Sequence, residues 1–240
     1  MKVGLISDIH SNLHALEAVL EELDGCEEIL CLGDVVGYGA YPNECVKMAK
    51  GVSKACVLGN HDAACVGLLS LGWFNPYAAS AARWTMDRLD NGSLAYLRNI
   101  PRSTHSGIFF MTHGSPREPT TEYLREVSQA RASFDLCDDR VILVGHTHVP
   151  LVFMERDDGP ERIRPKDGEW ISYRRRRVIY NPGGVGQPRD GDPRAAYAMI
   201  DTDEEKIGQF RVEYDVEAAR DAIIDAGLPR MLGDRLTTGR

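Results

Sequence analysis

The sequence predicts an α/β fold with two sheets, the first of them largely parallel. Two observations carry this. Short strand-like runs at Val3–Ile6, Glu28–Leu32 and Ser53–Leu58 each end in polar residues and are followed by a helix-patterned stretch. Such alternation builds parallel strands joined by crossover helices. After Pro150 the pattern changes. Leu151–Glu155, Trp170–Tyr173, Arg177–Tyr180, Tyr197–Asp201 and Gly208–Tyr214 read as strands without long helices between them, which predicts an antiparallel or mixed second sheet.

The elements follow in order. Leu13, Leu16, Val19, Leu20 and Leu23 recur at helical spacing, and Asn12 or Ser11 can cap that helix. Gly33-Asp34-Val35-Val36-Gly37-Tyr38-Gly39 is a tight loop, and Pro42 opens a second helix through about Lys50. Residues 63–99 read as helical, broken near Gly72 and at Asn75-Pro76; the apolar stretch Leu68–Tyr77 is expected to pack in the core, with a substrate-stacking wall or a dimer contact as the alternatives. Ser106–Met111 and Arg140–Val144 read as strands, with a helix at Glu122–Ala132 between them. Asp157–Asp167 reads as a hairpin loop and Asn181–Arg189 as a glycine-rich loop. Val216–Ala226 closes the fold as a helix, and the tail from Pro229 is expected to fray. The expectation is one domain over residues 1–240, with the second sheet and closing helix in 149–228 and the frayed tail in 229–240.

Composition narrows the classes. The chain of 240 residues is 43% hydrophobic and 27% charged, ordinary for a globular protein. No apolar run reaches the roughly 18 residues that span a bilayer, and Met1 leads directly into a strand, so a cytoplasmic location is expected. The net charge of −8 counts against nucleic acid as a partner. The six cysteines form no Cys-x-x-Cys pair and read as reduced thiols. The run Arg174–Arg177 reads as a solvated face.

The polar residues at strand ends are Asp8, His10, Asp34, Asn60, His61, His113, His146 and His148, and they include five of the seven histidines. Ligands in open α/β sheets bind at such edges. Taken singly, Asp8 reads as a capping residue beside a surface histidine and Asp34 as a turn former. Together, carboxylate, imidazole and amide oxygen without thiolate suit Mn, Fe, Co, Ni or Zn. A catalytic zinc takes three protein ligands and keeps an open position. The set is too large for that and suits two ions sharing a bridge. Two ions roughly 3.5–4 Å apart serve in-line displacement at phosphorus, lowering the pKa of a bridging water and neutralising phosphoryl oxygens. His61 is left over as a general acid.

Asp8-x-His10, Gly33-Asp34, Gly59-Asn60-His61-Asp62, Thr112-His113-Gly114 and Gly145-His146-Thr147-His148 resemble, in order, the five blocks of the calcineurin-like metallophosphoesterases. Asn181–Arg189 resembles the Asn-Pro-Gly-Ser block of the small bacterial phosphodiesterase branch, with Gly184 in place of the serine. The resemblance implies a four-layer α-β-β-α sandwich of two mixed sheets. It implies one ion on Asp8, His10, Asp34 and His148, and a second on Asp34, Asn60, His113 and His146, with Asp34 bridging and manganese favoured. His61 would be the proton donor, supported by Asp62. Asn12, Tyr38 and Arg189 are candidate substrate contacts, although Asn12 also reads as a helix cap and Arg189 as a partner for Asp190 or Asp192. Gly37 and Gly39 either admit a substrate or permit the turn.

The function expected from this is hydrolysis of phosphomonoester, phosphodiester or phosphoanhydride bonds in small, nucleotide-like substrates, through attack of a metal-bridging hydroxide, by a monomer or homo-oligomer away from membranes. The alternatives are a nuclease and a noncatalytic protein-binding scaffold on the same fold. A scaffold would tolerate loss of His61 or of a ligand, and each of those positions is intact.

Overall fold

The computed structural model describes residues 1–240. Its strands are β1 (Lys2–Ile6), β2 (Glu28–Cys31), β3 (Ser53–Cys56), β4 (Ser103–Ser106), β5 (Phe109–Thr112), β6 (Val141–Leu143), β7 (Pro150–Arg156), β8 (Gly159–Ile163), β9 (Trp170–Ser172), β10 (Val178–Pro182), β11 (Ala195–Asp201) and β12 (Lys206–Val212). The helices are α1 (Leu13–Glu22), α2 (Pro42–Val52), α3 (Asn60–Cys65), α4 (Pro76–Met86), α5 (Asn91–Asn99), α6 (Val127–Leu136), α7 (Val216–Asp225) and α8 (Arg230–Asp234).

Two mixed six-stranded sheets face each other, with orders β3-β2-β1-β11-β12-β9 and β4-β5-β6-β10-β7-β8. Strands β1, β2 and β3 are parallel, as the alternation predicts, and β11 joins antiparallel on the far side of β1. In the second sheet β5, β6 and β10 are parallel. The second sheet is therefore not confined to residues 149–228. Its strands β4 to β6 come from earlier in the chain, while the late strands β9, β11 and β12 complete the first sheet. Local pattern shows that a segment is a strand but not which edge accepts it.

The strands read as continuous apolar runs because both faces are covered. In β1, Val3 and Leu5 point between the sheets while Ile6 packs outward under α1 and α2; in β10, Val178 and Tyr180 face inward and Ile179 faces α6. The inter-sheet layer holds Leu30, Leu32, Val57, Met111, Leu143 and Val152 among others. Buried Gln209 ties the layers together: its amide donates to the Pro182 and Tyr197 carbonyls at 3.0 Å each, and its oxygen accepts from the Tyr180 hydroxyl at 2.8 Å.

Several local expectations are revised. The strand at Ser106–Met111 is a hairpin, β4–β5, turning at Gly107. The Asp157–Asp167 loop contains β8, paired with β7. The helix expected at Glu122–Ala132 begins only at Val127, where Glu126 and Gln129 form its cap. Arg174 and Arg175 lie exposed in a turn, as a solvated face requires, while Arg176 and Arg177 pair with Asp157 and Glu155.

The tail does not fray. Residues 230–238 form α8 and a 3-10 turn, and Leu232 and Leu236 are buried with Tyr38, Ala78, Ala81, Ala219 and Ile223. Burial of two leucines outweighs the entropy of ordering a short terminal segment. Leu232→Ala should lower unfolding stability in urea by about 2–4 kcal/mol; a frayed tail would show no change.

Candidate metal centre

Five strand ends converge. Asp8 and His10 follow β1, Asp34 follows β2, Asn60 and His61 follow β3, His113 follows β5, and His146 and His148 follow β6. Because β1–β3 and β5–β6 run parallel within their sheets, their C-terminal ends lie together where the two sheet edges meet. All eight residues are buried.

The backbone carries strain at this edge. Asp8, His10, Ser11, Asp34, Tyr38, His146 and His148 all have positive φ between 50° and 68°. Residues other than glycine enter this region at a cost of about 1–3 kcal/mol each and persist where surroundings over-determine them. Close packing supplies the constraint. The Gly39 Cα lies against the backbone of His10 and Ser11, and Gly186 lies against the Ile9 carbonyl so tightly that a Cβ would overlap it. These glycines therefore serve loop-on-loop packing.

Each carboxylate has one oxygen tied and one free. Asp8 Oδ2 accepts from the Ser7 hydroxyl at 2.7 Å and the His146 amide at 3.1 Å, while Asp34 Oδ1 accepts from the His61 amide at 2.8 Å. Asp8 Oδ1 and Asp34 Oδ2 are buried with no hydrogen-bond partner.

The imidazoles are oriented by carbonyls. Nδ1 of His10, His113 and His148 meets the carbonyls of Val36 at 3.1 Å, Leu32 at 2.7 Å and Gln187 at 2.6 Å, and His146 Nε2 meets Thr121 at 3.2 Å. A carbonyl only accepts, so these nitrogens carry the proton and the opposite nitrogen presents a lone pair. His10 Nε2 and His148 Nε2 then face each other at 3.2 Å. His148 Nε2 lies 3.3 Å from the free oxygen of Asp8, and His113 Nε2 lies 3.3 Å from that of Asp34 and 3.2 Å from Asn60 Oδ1. Lone pairs aimed at one another at such distances repel unless a cation sits among them. The donors fall into two groups, Asp8–His10–Asp34–His148 and Asp34–His113–His146, each with ligand atoms within 4.8 Å of one another and sharing Asp34. The N/O donor set fits borderline divalent ions.

The titration of the cluster expresses the same demand for positive charge. Burial pushes Asp8 up to about 7 despite the charge of His113. Burial also opposes ionisation of Asp34, but the His113 charge and its hydrogen bond, with His61 and His10 adding to them where they are protonated, outweigh it and hold the carboxyl well below the usual range. Burial disfavours charge on His113, yet Asp34 and Asp8 raise it to about 10, so a proton competes for the Nε2 lone pair that a metal ion would take. Burial drives His10, His146 and His148 well below the usual imidazole value.

His61 belongs to neither donor group. Its ring sits against Tyr38 and Phe74, with centroids at 4.4 and 4.7 Å, and its Nδ1 has no partner. Burial lowers its pKa to about 4, against the pull of Asp34. Asp62 does not support this ring. Its carboxylate accepts from the Val36 amide at 3.0 Å and the Gly59 amide at 3.1 Å, fastening the Asp34 loop to the start of α3. Adjacent helical residues point apart, so sequence neighbourhood is no guide to contact here.

Asn12 resolves as a cap. Its oxygen accepts from the Ala15 amide at 3.2 Å, and its nitrogen donates to the Gly186 carbonyl at 2.9 Å and the Tyr214 hydroxyl at 3.4 Å. Both amide protons are used, so Asn12 has no donor left for a phosphoryl oxygen. Tyr38 and Arg189 do face the site: the guanidinium donates to the Tyr38 hydroxyl at 3.4 Å and to Gln187 Oε1 at 2.8 Å. Arg189 pairs with neither Asp190 nor Asp192, which are held by Arg211 and Arg194.

The stretch Leu68–Tyr77 is not core. Leu69, Trp73 and Phe74 line an open cleft with Tyr38, His61 and His146, and Trp73 is 76% exposed. Tyr123 completes the opposite wall by stacking on His146 at 3.8 Å. Its sequence context, a polar loop before α6, gave no signal of this. The apolar character of Leu68–Tyr77 was visible, but burial and pocket lining share that signature.

Fold and site define an α/β protein with two adjoining candidate metal groups at the meeting edge of its sheets. The profile of the calcineurin-like phosphoesterase superfamily domain matches residues 1–205, and the chain belongs to that family. An uncharacterized protein of Methanocaldococcus jannaschii is 39% identical over 250 residues, 99% of this chain and 98% of its own. The phosphodiesterase YfcE of Escherichia coli is 27% identical over 215 residues, 85% of this chain and 89% of its own. The crystal structure of a metallophosphoesterase from Sphaerobacter thermophilus aligns with a TM-score of 0.91 at 42% identity, covering 100% of this chain and 99% of that one.

Asp62→Asn should weaken divalent-metal affinity about 10- to 100-fold, as losses of groups that orient ligands do. Calorimetric titration checks this; unchanged affinity would show that the Asp62 clamp does not orient the metal-binding loop.

Proposed function

We propose that this chain, acting as one domain, is a dinuclear-metal phosphoesterase for small phosphoesters. One observation carries the reading: two buried carboxylate oxygens without partners stand among four imidazoles whose outer nitrogens are tethered to carbonyls. Asp8, His10, Asp34 and His148 would hold one ion, and Asp34, Asn60, His113 and His146 the other, with manganese favoured. When bound, such ions lower the pKa of water and neutralise phosphoryl oxygens.

The chain's own residues do the rest. The carbonyl tethers hold the imidazoles in one tautomer, so the ligand set needs no reorganisation. His61 is the proton donor to the leaving oxygen. The hydrophobic wall of Tyr38 and Phe74 keeps it neutral alone, and a phosphoryl dianion seated beside it supplies the negative charge that favours its protonation. The open aromatic cleft suits a flat leaving group such as a nucleoside or aryl group. Similarity to the phosphodiesterase YfcE supports the reaction class. No helix is long and apolar enough to cross a membrane, and all six cysteines are free, which supports a cytoplasmic site of action.

Metal-stripped protein given Mn, Ni, Co, Zn or Mg singly should recover hydrolysis of bis(p-nitrophenyl) phosphate or p-nitrophenyl phosphate with a transition metal. Protein that binds two ions yet hydrolyses nothing would favour a scaffold role. His61→Ala should retain both ions while losing about 10²–10⁴-fold in turnover on an ester with a poor leaving group; an unchanged rate would sink the assignment. Asp34→Ala should abolish stoichiometric binding of two ions, read by metal analysis.

A further inference from the structure

We propose that Glu122 is a positioning residue for His146: its carboxylate fastens the loop whose Thr121 carbonyl and Tyr123 ring set the tautomer and the angle of that imidazole. The role toward a metal ion rests on the phosphoesterase reading, while the hold on the ring does not.

His146 differs from the other imidazoles of the cluster. His10, His113 and His148 each meet a carbonyl through Nδ1 and turn Nε2 inward. His146 meets the Thr121 carbonyl through Nε2 at 3.2 Å, which leaves Nδ1 to face the Asp34–His113–His146 group. The Thr121 carbonyl therefore selects a tautomer opposite to that of its neighbours. Yet Thr121 belongs to no strand or helix, and neither does any residue from 120 to 125. From Thr120 to Leu124 only the Glu122 amide donates to a backbone carbonyl, that of Glu118 at 3.5 Å. Backbone pairing alone does not fix such a segment.

Side chains supply the hold. The Ser115 hydroxyl donates to Glu122 Oε2, while Arg117 and Gln129 donate to Oε1 at 2.8 and 3.3 Å. Ser115 is fully buried and the Glu122 side chain is 11% exposed. Ser115 Oγ also accepts from the Arg117 and Glu118 amides at 3.1 Å each. Gln129, in the first turn of α6, uses its oxygen to accept from the Arg125 and Glu126 amides at 2.9 Å each. The Glu122 carboxylate thus joins the turn that follows His113 to the start of α6. Gly114 admits the joint, because a Cβ there would overlap the Glu118 carbonyl and press on the Glu122 backbone. Buried Leu124 anchors the apolar side of the segment. Thr121 and Tyr123 flank Glu122 and meet the same ring. The carbonyl on one side holds its edge, and the phenol ring on the other covers its face, with centroids 3.8 Å apart and planes 19° apart.

Isotope-labelled histidine, followed by ring-nitrogen NMR, reads the tautomer in metal-free full-length protein. Zinc titration of the same sample reads the two donor groups separately, through His148 and through His146. In the wild type His146 should carry its proton on Nε2, opposite to His10 and His148. In Glu122→Ala the two His146 nitrogens should move toward the average of a freely turning ring. Zinc should then bind the His146 group about 10- to 100-fold more weakly, the scale for loss of a group that orients a ligand, and the His148 group less than about threefold more weakly. Glu122→Gln keeps an acceptor for the Ser115 hydroxyl and should stay closer to the wild type than Glu122→Ala. Ser115→Ala cuts the same tie from its other end and carries the test if Glu122→Ala does not fold; where both fold, the double variant should lose little more than either alone. Glu118→Ala removes an exposed carboxylate from the same loop and should change nothing. An unchanged His146 tautomer, or equal weakening of both groups, in a variant with wild-type thermal midpoint overturns the proposal. Hydrolysis of p-nitrophenyl esters is read separately. Its absence in the wild type, with the selective loss at His146 intact, would overturn the phosphoesterase reading alone.

Discussion

A carboxylate removed from water costs several kcal/mol unless charge or hydrogen bonds compensate it. Here two of them, Asp8 and Asp34, lie buried in one cluster, and each satisfies only half of itself with protein donors. The remaining oxygens look toward the Nε2 atoms of imidazoles whose Nδ1–H groups donate to carbonyls. The chain must hold these groups together against their mutual repulsion. Much of its local architecture serves that constraint: the left-handed backbone at the ligands, the glycines packed loop against loop, and the carbonyl tethers that keep the rings from turning away.

The two sheets make this possible. Parallel β1–β3 deliver three loops to one edge, and β5 and β6 deliver two more from the facing sheet. The apolar layer between them, with Gln209 fastening across it, sets the spacing between the two sets of loops. Asp62 acts within this frame as a clamp between the Asp34 loop and α3, so its burial is a matter of position rather than proton transfer.

Around the candidate metal ligands lies a less regular rim. The aromatic wall from Leu69 to Phe74, Tyr123 on His146, and the terminal turn behind Tyr38 come from three distant parts of the chain. None contributes a ligand. Under the proposed function, the aromatic side would select a flat leaving group.

The strand ends and the residue types they bring together were legible because β-strand, turn and side-chain chemistry are encoded within a few residues. Asp8, His10, Asp34, Asn60, His113, His146 and His148 each follow an apolar run whose direction fixes where its end lies. The Asn12 cap was legible for the same reason. What only the tertiary structure decided depends on long-range packing. Strands β9, β11 and β12 complete the first sheet because its edge at β1 was open, which no local pattern records. The tail orders because Leu232 and Leu236 find an apolar surface made by α4, α7 and Tyr38. Asp62 misses His61 because neighbouring side chains on a helix diverge.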